Sequence, residues 1–92
     1  MEKEVTKQKL EKYFKISEEA LEMAKKNVAK KELAEDFLDM IERYIKDAKY
    51  FREKGNWVTA FAALNYAHGW LDAGARAKIF DVNDSRLFTV DD

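Results

Sequence analysis

Between Trp57 and Ala77 the chain carries only two formally charged residues, Asp72 and Arg76. There is no proline anywhere, and the three glycines are Gly55, Gly69 and Gly74. Little therefore interrupts a helix, and the stretch predicts one over residues 57–79. A helix on the surface of a small bundle normally keeps a polar face in water. One this apolar must be covered on its outer side as well. The candidates for that cover are the C-terminal segment and a second subunit.

The preceding residues read as two amphipathic helices. Leu10, Tyr13, Phe14, Ser17, Ala20, Leu21 and Ala24 recur at steps of three and four, predicting a helix over residues 3–27 with Glu11–Lys15 and Glu22–Lys26 pairs along it. Leu33, Phe37, Met40, Ile41, Tyr44, Ile45, Ala48 and Phe51 repeat the period over residues 32–54. No breaker marks the boundary at 28–31. The turn is placed there because one unbroken helix through Glu53 would have nothing to pack against. Gly55 suits a left-handed C-terminal cap, and Asn56 is expected to cap the third helix through its side-chain oxygen, closing an antiparallel hairpin. Residues 80–92 form a short tail in which Phe80, Val82, Leu87, Phe88 and Val90 offer apolar anchors. Asp81, Asp84, Asp91 and Asp92 are expected to limit how closely it docks. The expectation is an all-α, three-helix up-and-down bundle with a short C-terminal tail, forming one domain over residues 1–92.

Composition narrows the functional classes. Lys and Arg total 17 against 18 Asp and Glu, so the net charge of -1 gives no global attraction to nucleic acid or anionic lipid. The lysines of the first helix are interrupted by Glu18, Glu19 and Glu22, which favours a solvated face over RNA contact. Without cysteine there are no thiolate nucleophiles, and the chain fits a reducing cytoplasm. No apolar run approaches the roughly 20 residues of a membrane span, and the charged start Met1-Glu2-Lys3-Glu4 does not resemble a signal peptide. The 38% charged content with few amides resembles thermophilic proteins.

Two resemblances lie in the second half. The hairpin from Tyr44 to Ala67 is weakly similar to a tetratricopeptide repeat through Tyr44, Ala48, Phe51, Ala60, Leu64 and Ala67, although Asp47 replaces an apolar position and no proline follows. The run Tyr50-Phe51-Arg52-Glu53-Lys54-Gly55-Asn56-Trp57, then Ala60-Phe61, then Tyr66-Ala67-His68-Gly69-Trp70-Leu71-Asp72-Ala73-Gly74-Ala75-Arg76, resembles a small archaeal domain-of-unknown-function family, number three-five-seven. That resemblance spans roughly residues 5–80. It implies an up-and-down three-helix bundle similar to albumin-binding-type bundles and brings no activity with it.

Asn65, His68, Asp72 and Arg76, at steps of three, four and four, line one side of the third helix. Read functionally, His68 and Asp72 would ligate a metal or pair as base and orienting carboxylate, with Arg76 holding an anion. Two visible ligands are too few for zinc, so a structural role in satisfying buried polar groups is preferred, through His68–Asp72 and Asp72–Arg76 bonds. Gly69 and Gly74, with Ala73 and other alanines, suggest a small-residue face open to close approach, and Tyr66 and Trp70 complete an interface candidate with Gly69 and Ala73. The expectation is a non-enzymatic interaction or assembly module, with no cofactor or metal, homodimeric or bound to a protein partner. The alternative is a small-ligand or metal-binding protein, or a minimal enzyme, using the polar stripe.

Overall fold

The computed structural model describes residues 5–89, and Val90, Asp91 and Asp92 of the expected tail lie outside them. Helices α1 (Lys7–Lys26), α2 (Lys31–Glu53) and α3 (Trp57–Arg76) run up and down as an all-α three-helix bundle. Thr6 starts α1 by accepting the Lys9 N–H on its side-chain oxygen. Where α1 ends, the Asn27 side-chain amide donates to the Met23 carbonyl at 2.7 Å.

Both helices of the hairpin, α2 and α3, end on the same device. After α2, Gly55 sits at φ +79°, the Asn56 N–H donates to Phe51 and the Gly55 N–H donates to Arg52. This crossed pair satisfies carbonyls that a helix end would leave open. Asn56 makes no side-chain cap bond, contrary to expectation, so α3 begins on backbone geometry alone. After α3 the pattern recurs with Ile79 N–H to Gly74 and Lys78 N–H to Ala75, but the left-handed residue is Lys78 at φ +60°. The helix therefore stops at Arg76, three residues before the expected end, and turns the chain back onto the bundle.

The apolar α3 lies between the other two helices, in extensive contact with both, while α1 and α2 touch each other far less. Ala60, Leu64, Ala67, Leu71 and Ala75 of α3 are buried against Leu10, Phe14 and Ala24 of α1 and Ile41, Ile45 and Ala48 of α2. Alanines let the helices approach while larger side chains fill the gaps. Across the α1–α2 seam run Glu11–Arg52 (3.4 Å), Glu18–Lys49 (2.9 Å) and Lys25–Glu42 (2.8 Å). Glu11, Glu18 and Lys25 are seven residues apart, so all three face α2. Glu11 thus reaches across to Arg52 instead of along its own helix to Lys15, and Glu22 meets Lys25 at 4.0 Å. The Lys25 ammonium is held above its usual range, first by the hydrogen bond to Glu42. Exposed pairs like these contribute about 0–1 kcal/mol each.

The tail is part of the core. Ile79, Phe80, Leu87 and Phe88 are all buried, and Phe80, Phe88 and Leu87 are among the largest fully buried side chains. Its first part stitches the α1–α2 turn: Ala29 and Lys30 N–H both donate to Ile79, the Asp81 N–H donates to Asn27, and Val28 pairs with Phe80. Its second part turns at Asp84, whose carbonyl accepts the Leu87 and Phe88 N–H groups and whose carboxylate accepts the Arg86 N–H. That turn allows two consecutive residues, Leu87 and Phe88, to face inward. The expected limit from the aspartates does not operate at the described ones: Asp81 is exposed, and Asp84 builds the turn.

Gly74 shows why a glycine is tolerated there inside a helix: a Cβ on it would lie 2.4 Å from the Phe80 ring. Gly69 differs, because a Cβ there would meet nothing within 4 Å. Gly74→Ala is therefore expected to destabilise the fold by about 1–3 kcal/mol through overpacking. Gly69→Ala is expected to leave the fold of the single chain unchanged or stabilise it by up to about 1 kcal/mol. Chemical denaturation of the two variants checks the contrast. By the same method, Lys78→Gly is expected to gain roughly 0.5–1 kcal/mol, since glycine relieves the left-handed strain but loses more entropy on folding.

Candidate functional site

Two members of the polar stripe of α3, His68 and Asp72, hold the tail. The His68 Nε2–H donates to the Leu87 carbonyl at 2.6 Å, and the Asp72 carboxylate accepts the Thr89 N–H at 2.8 Å. His68 and Asp72 stand one helical turn apart and bind main-chain groups two residues apart, so the tail docks in a fixed register. The His68 Nε2 to Asp72 distance is 3.8 Å, outside hydrogen-bond range, so the expected direct bond between them is replaced by bonds to the tail. Arg86 adds a third anchor by donating to Glu19 of α1 at 2.9 Å. Its guanidinium is held above its usual range, first by that hydrogen bond and then by the Glu19 charge. Asn65 and Arg76, the other two members of the stripe, are exposed on α3.

Between α1, α3 and the docked tail lies an open cleft of about 630 Å³, with Ser17, Asn65, His68, Asp72 and Arg86 among its polar lining residues. Among the described residues no group of three His, Cys, Asp or Glu side chains is placed to hold a metal ion, so His68 and Asp72 gain no third ligand of that kind. No helix among them is long and apolar enough to cross a membrane.

The four interface candidates come together elsewhere on α3. Tyr66, Gly69, Trp70 and Ala73 line an apolar groove of about 360 Å³ with Phe37 of α2 and Asn65. The Phe37 and Trp70 rings meet edge to face at 4.9 Å, and Tyr44 lies 4.4 Å from Tyr66. These contacts fix the groove walls. Tyr66 keeps 51% of its surface exposed, and Val58, further along α3, keeps 61%. The tail covers the His68–Asp72 side and leaves this stripe open.

Phe37 and Arg86 were not legible as site residues. Phe37 reads as one more member of an apolar repeat until α3 is packed beside it. Arg86 is 67 residues from Glu19, with no local pattern to link them.

Asp72→Ala is expected to cost about 1 kcal/mol by leaving the Thr89 N–H without its acceptor. It should also speed hydrogen exchange at residues 84–89 more than in α2. Uniform loss of protection through α1, α2 and α3 would show that Asp72 supports the whole bundle and not the tail clasp.

No curated protein and no solved structure matches the chain. The sequence pattern of the family described as "Protein of unknown function (DUF357)" matches residues 12–80, which cover all of α2 and α3 and most of α1. The chain belongs to the DUF357 family.

Proposed function

We propose that the protein is a non-enzymatic interaction and assembly module, working as a homodimer through the outer face of α3. The observation that carries this reading is the open apolar groove at Phe37, Tyr66, Gly69, Trp70 and Ala73. It lies on a helix with no charge from Trp57 to Leu71, so no charged side chain of that stretch has to be desolvated when a partner covers the groove. The near-zero net charge supports a protein partner over nucleic acid. Absence of cysteine, the charge-rich composition and the family resemblance support a cytoplasmic role in a thermophilic archaeon.

A second reading, small-ligand binding, is favoured by the cleft beside His68, where a polar molecule would meet Asn65 and Arg86. Native mass spectrometry of the purified protein separates the readings, since a copurifying small molecule lost in Asn65→Ala would support the ligand reading.

For the assembly reading, Ala73→Glu is expected to shift the sedimenting species from dimer to monomer while circular dichroism keeps the helical signal. Ala73 is exposed in the single chain, so a charge there costs little until a partner covers it. An unchanged dimer would remove α3 from the interface.

A further inference from the structure

We infer that the groove between α1 and α3 in which the tail ends is a peptide-docking site, with residues 84–89 as its occupant in cis, and that a segment of a partner protein carrying the same anchors displaces them. The anchors are a basic residue, an aliphatic and an aromatic residue in succession, and the main-chain carbonyl and N–H on either side of the aromatic one. This surface is separate from the apolar stripe at Tyr66 and Trp70 and stands whether or not that stripe is covered.

The recognition is visible in how the groove holds its present occupant. His68 and Asp72 bind the Leu87 carbonyl and the Thr89 N–H, so they read backbone and not a particular side chain. Selectivity comes from the buried sites of Leu87 and Phe88 and from Glu19, which receives Arg86 at 2.9 Å. Main-chain bonds that give affinity, joined to a few side-chain sites that give specificity, are the usual division in peptide recognition. The segment also shapes itself. The Asp84 carbonyl accepts the Leu87 and Phe88 N–H groups, and its carboxylate accepts the Arg86 N–H. The turn that presents the anchors therefore needs nothing from the bundle, and a separate chain can carry it.

The tail leaves much of the groove unfilled. Leu87 stands between two clefts, one of about 630 Å³ reaching Tyr13, Ile16 and Asn65, the other of about 570 Å³ reaching Glu22, Met23 and Lys26. Room on both flanks lets a partner's segment keep the tail's anchors and add contacts that the tail lacks. Displacement requires such a surplus, because a tethered segment rebinds at an effective concentration of about millimolar. The outermost closure is weak: the Arg86 and Glu19 side chains are 61% and 39% exposed, and exposed pairs contribute little.

A fluorescent synthetic peptide of residues 83–89, offered to the full chain, tests the assignment. In the parent the tail competes. The peptide is therefore expected to bind Leu87→Ala, whose tail has lost one anchor, about tenfold more tightly, and to raise the Tm of that variant. Arg86→Glu weakens the tail through an exposed contact alone, so it is expected to bind the peptide more tightly than the parent even if Leu87→Ala does not fold. In Glu19→Arg, a peptide carrying Arg86→Glu is expected to bind better than the unmodified one, the reverse of their order in the parent. Saturating the parent with peptide is expected to speed hydrogen exchange at residues 84–89. A peptide that binds Arg86→Glu no better than the parent, or whose order of preference is the same in Glu19→Arg, does not enter the groove and overturns the proposal. Exchange at residues 84–89 that saturating peptide leaves unchanged overturns it as well.

Discussion

A helix with two charged side chains in five turns has almost no surface that water stabilises, and the fold is arranged around covering it. Placing α3 between α1 and α2 buries Ala60, Leu64, Ala67, Leu71 and Ala75. Two neighbours cannot wrap a third helix completely. The described residues form a body of 37 × 26 × 18 Å, narrowest in the direction that leaves part of α3 without a neighbouring helix. The tail covers one of the remaining sides, and the Tyr66–Gly69–Ala73 stripe is the side left open.

The tail is consequently a fourth packing element. Fully burying side chains such as Phe80, Leu87 and Phe88 contributes about 1.5–3 kcal/mol each, comparable to anchors contributed by the helices. Its path depends on one backbone feature, the left-handed Lys78, which turns the chain so that Phe80 packs over Gly74 and pairs with Val28. The α1–α2 turn, which has no breaker of its own, is then fixed by bonds from Ala29 and Lys30 to Ile79. His68 and Asp72, the most chemically suggestive residues in the sequence, serve the same closure by holding the end of the tail.

How much of this was legible follows from how local each signal is. Three helices, the Gly55 cap and the unusual apolarity of α3 are written in periodicity and single residue types, and the structure has all of them. The Asn56 side-chain cap was expected from residue preference alone, and the backbone pair from Gly55 and Asn56 to Arg52 and Phe51 closes the hairpin without it. The depth of the tail's burial is not legible from its aspartates read as charge. Asp84 acts instead as a hydrogen-bond acceptor within a turn, which only the three-dimensional path reveals. The candidate site is legible as residues but not as a relation: periodicity places Asn65, His68, Asp72 and Arg76 on one side of a helix, whereas the partners of His68 and Asp72, at Leu87 and Thr89, depend on a reversal of the chain that no periodicity encodes.

His68 and Asp72 are therefore partnered from within the chain, and the apolar side of α3 is the one proposed to be covered by another copy. Mass action offers the most direct test of that division, because a fold whose exposed stripe is buried by self-association grows more stable as protein concentration rises. Thermal unfolding followed over roughly a hundredfold range of concentration should show Tm increasing steadily. A Tm independent of concentration across that range, in a protein that sediments as a monomer, would contradict the claim that a second copy completes the cover of α3.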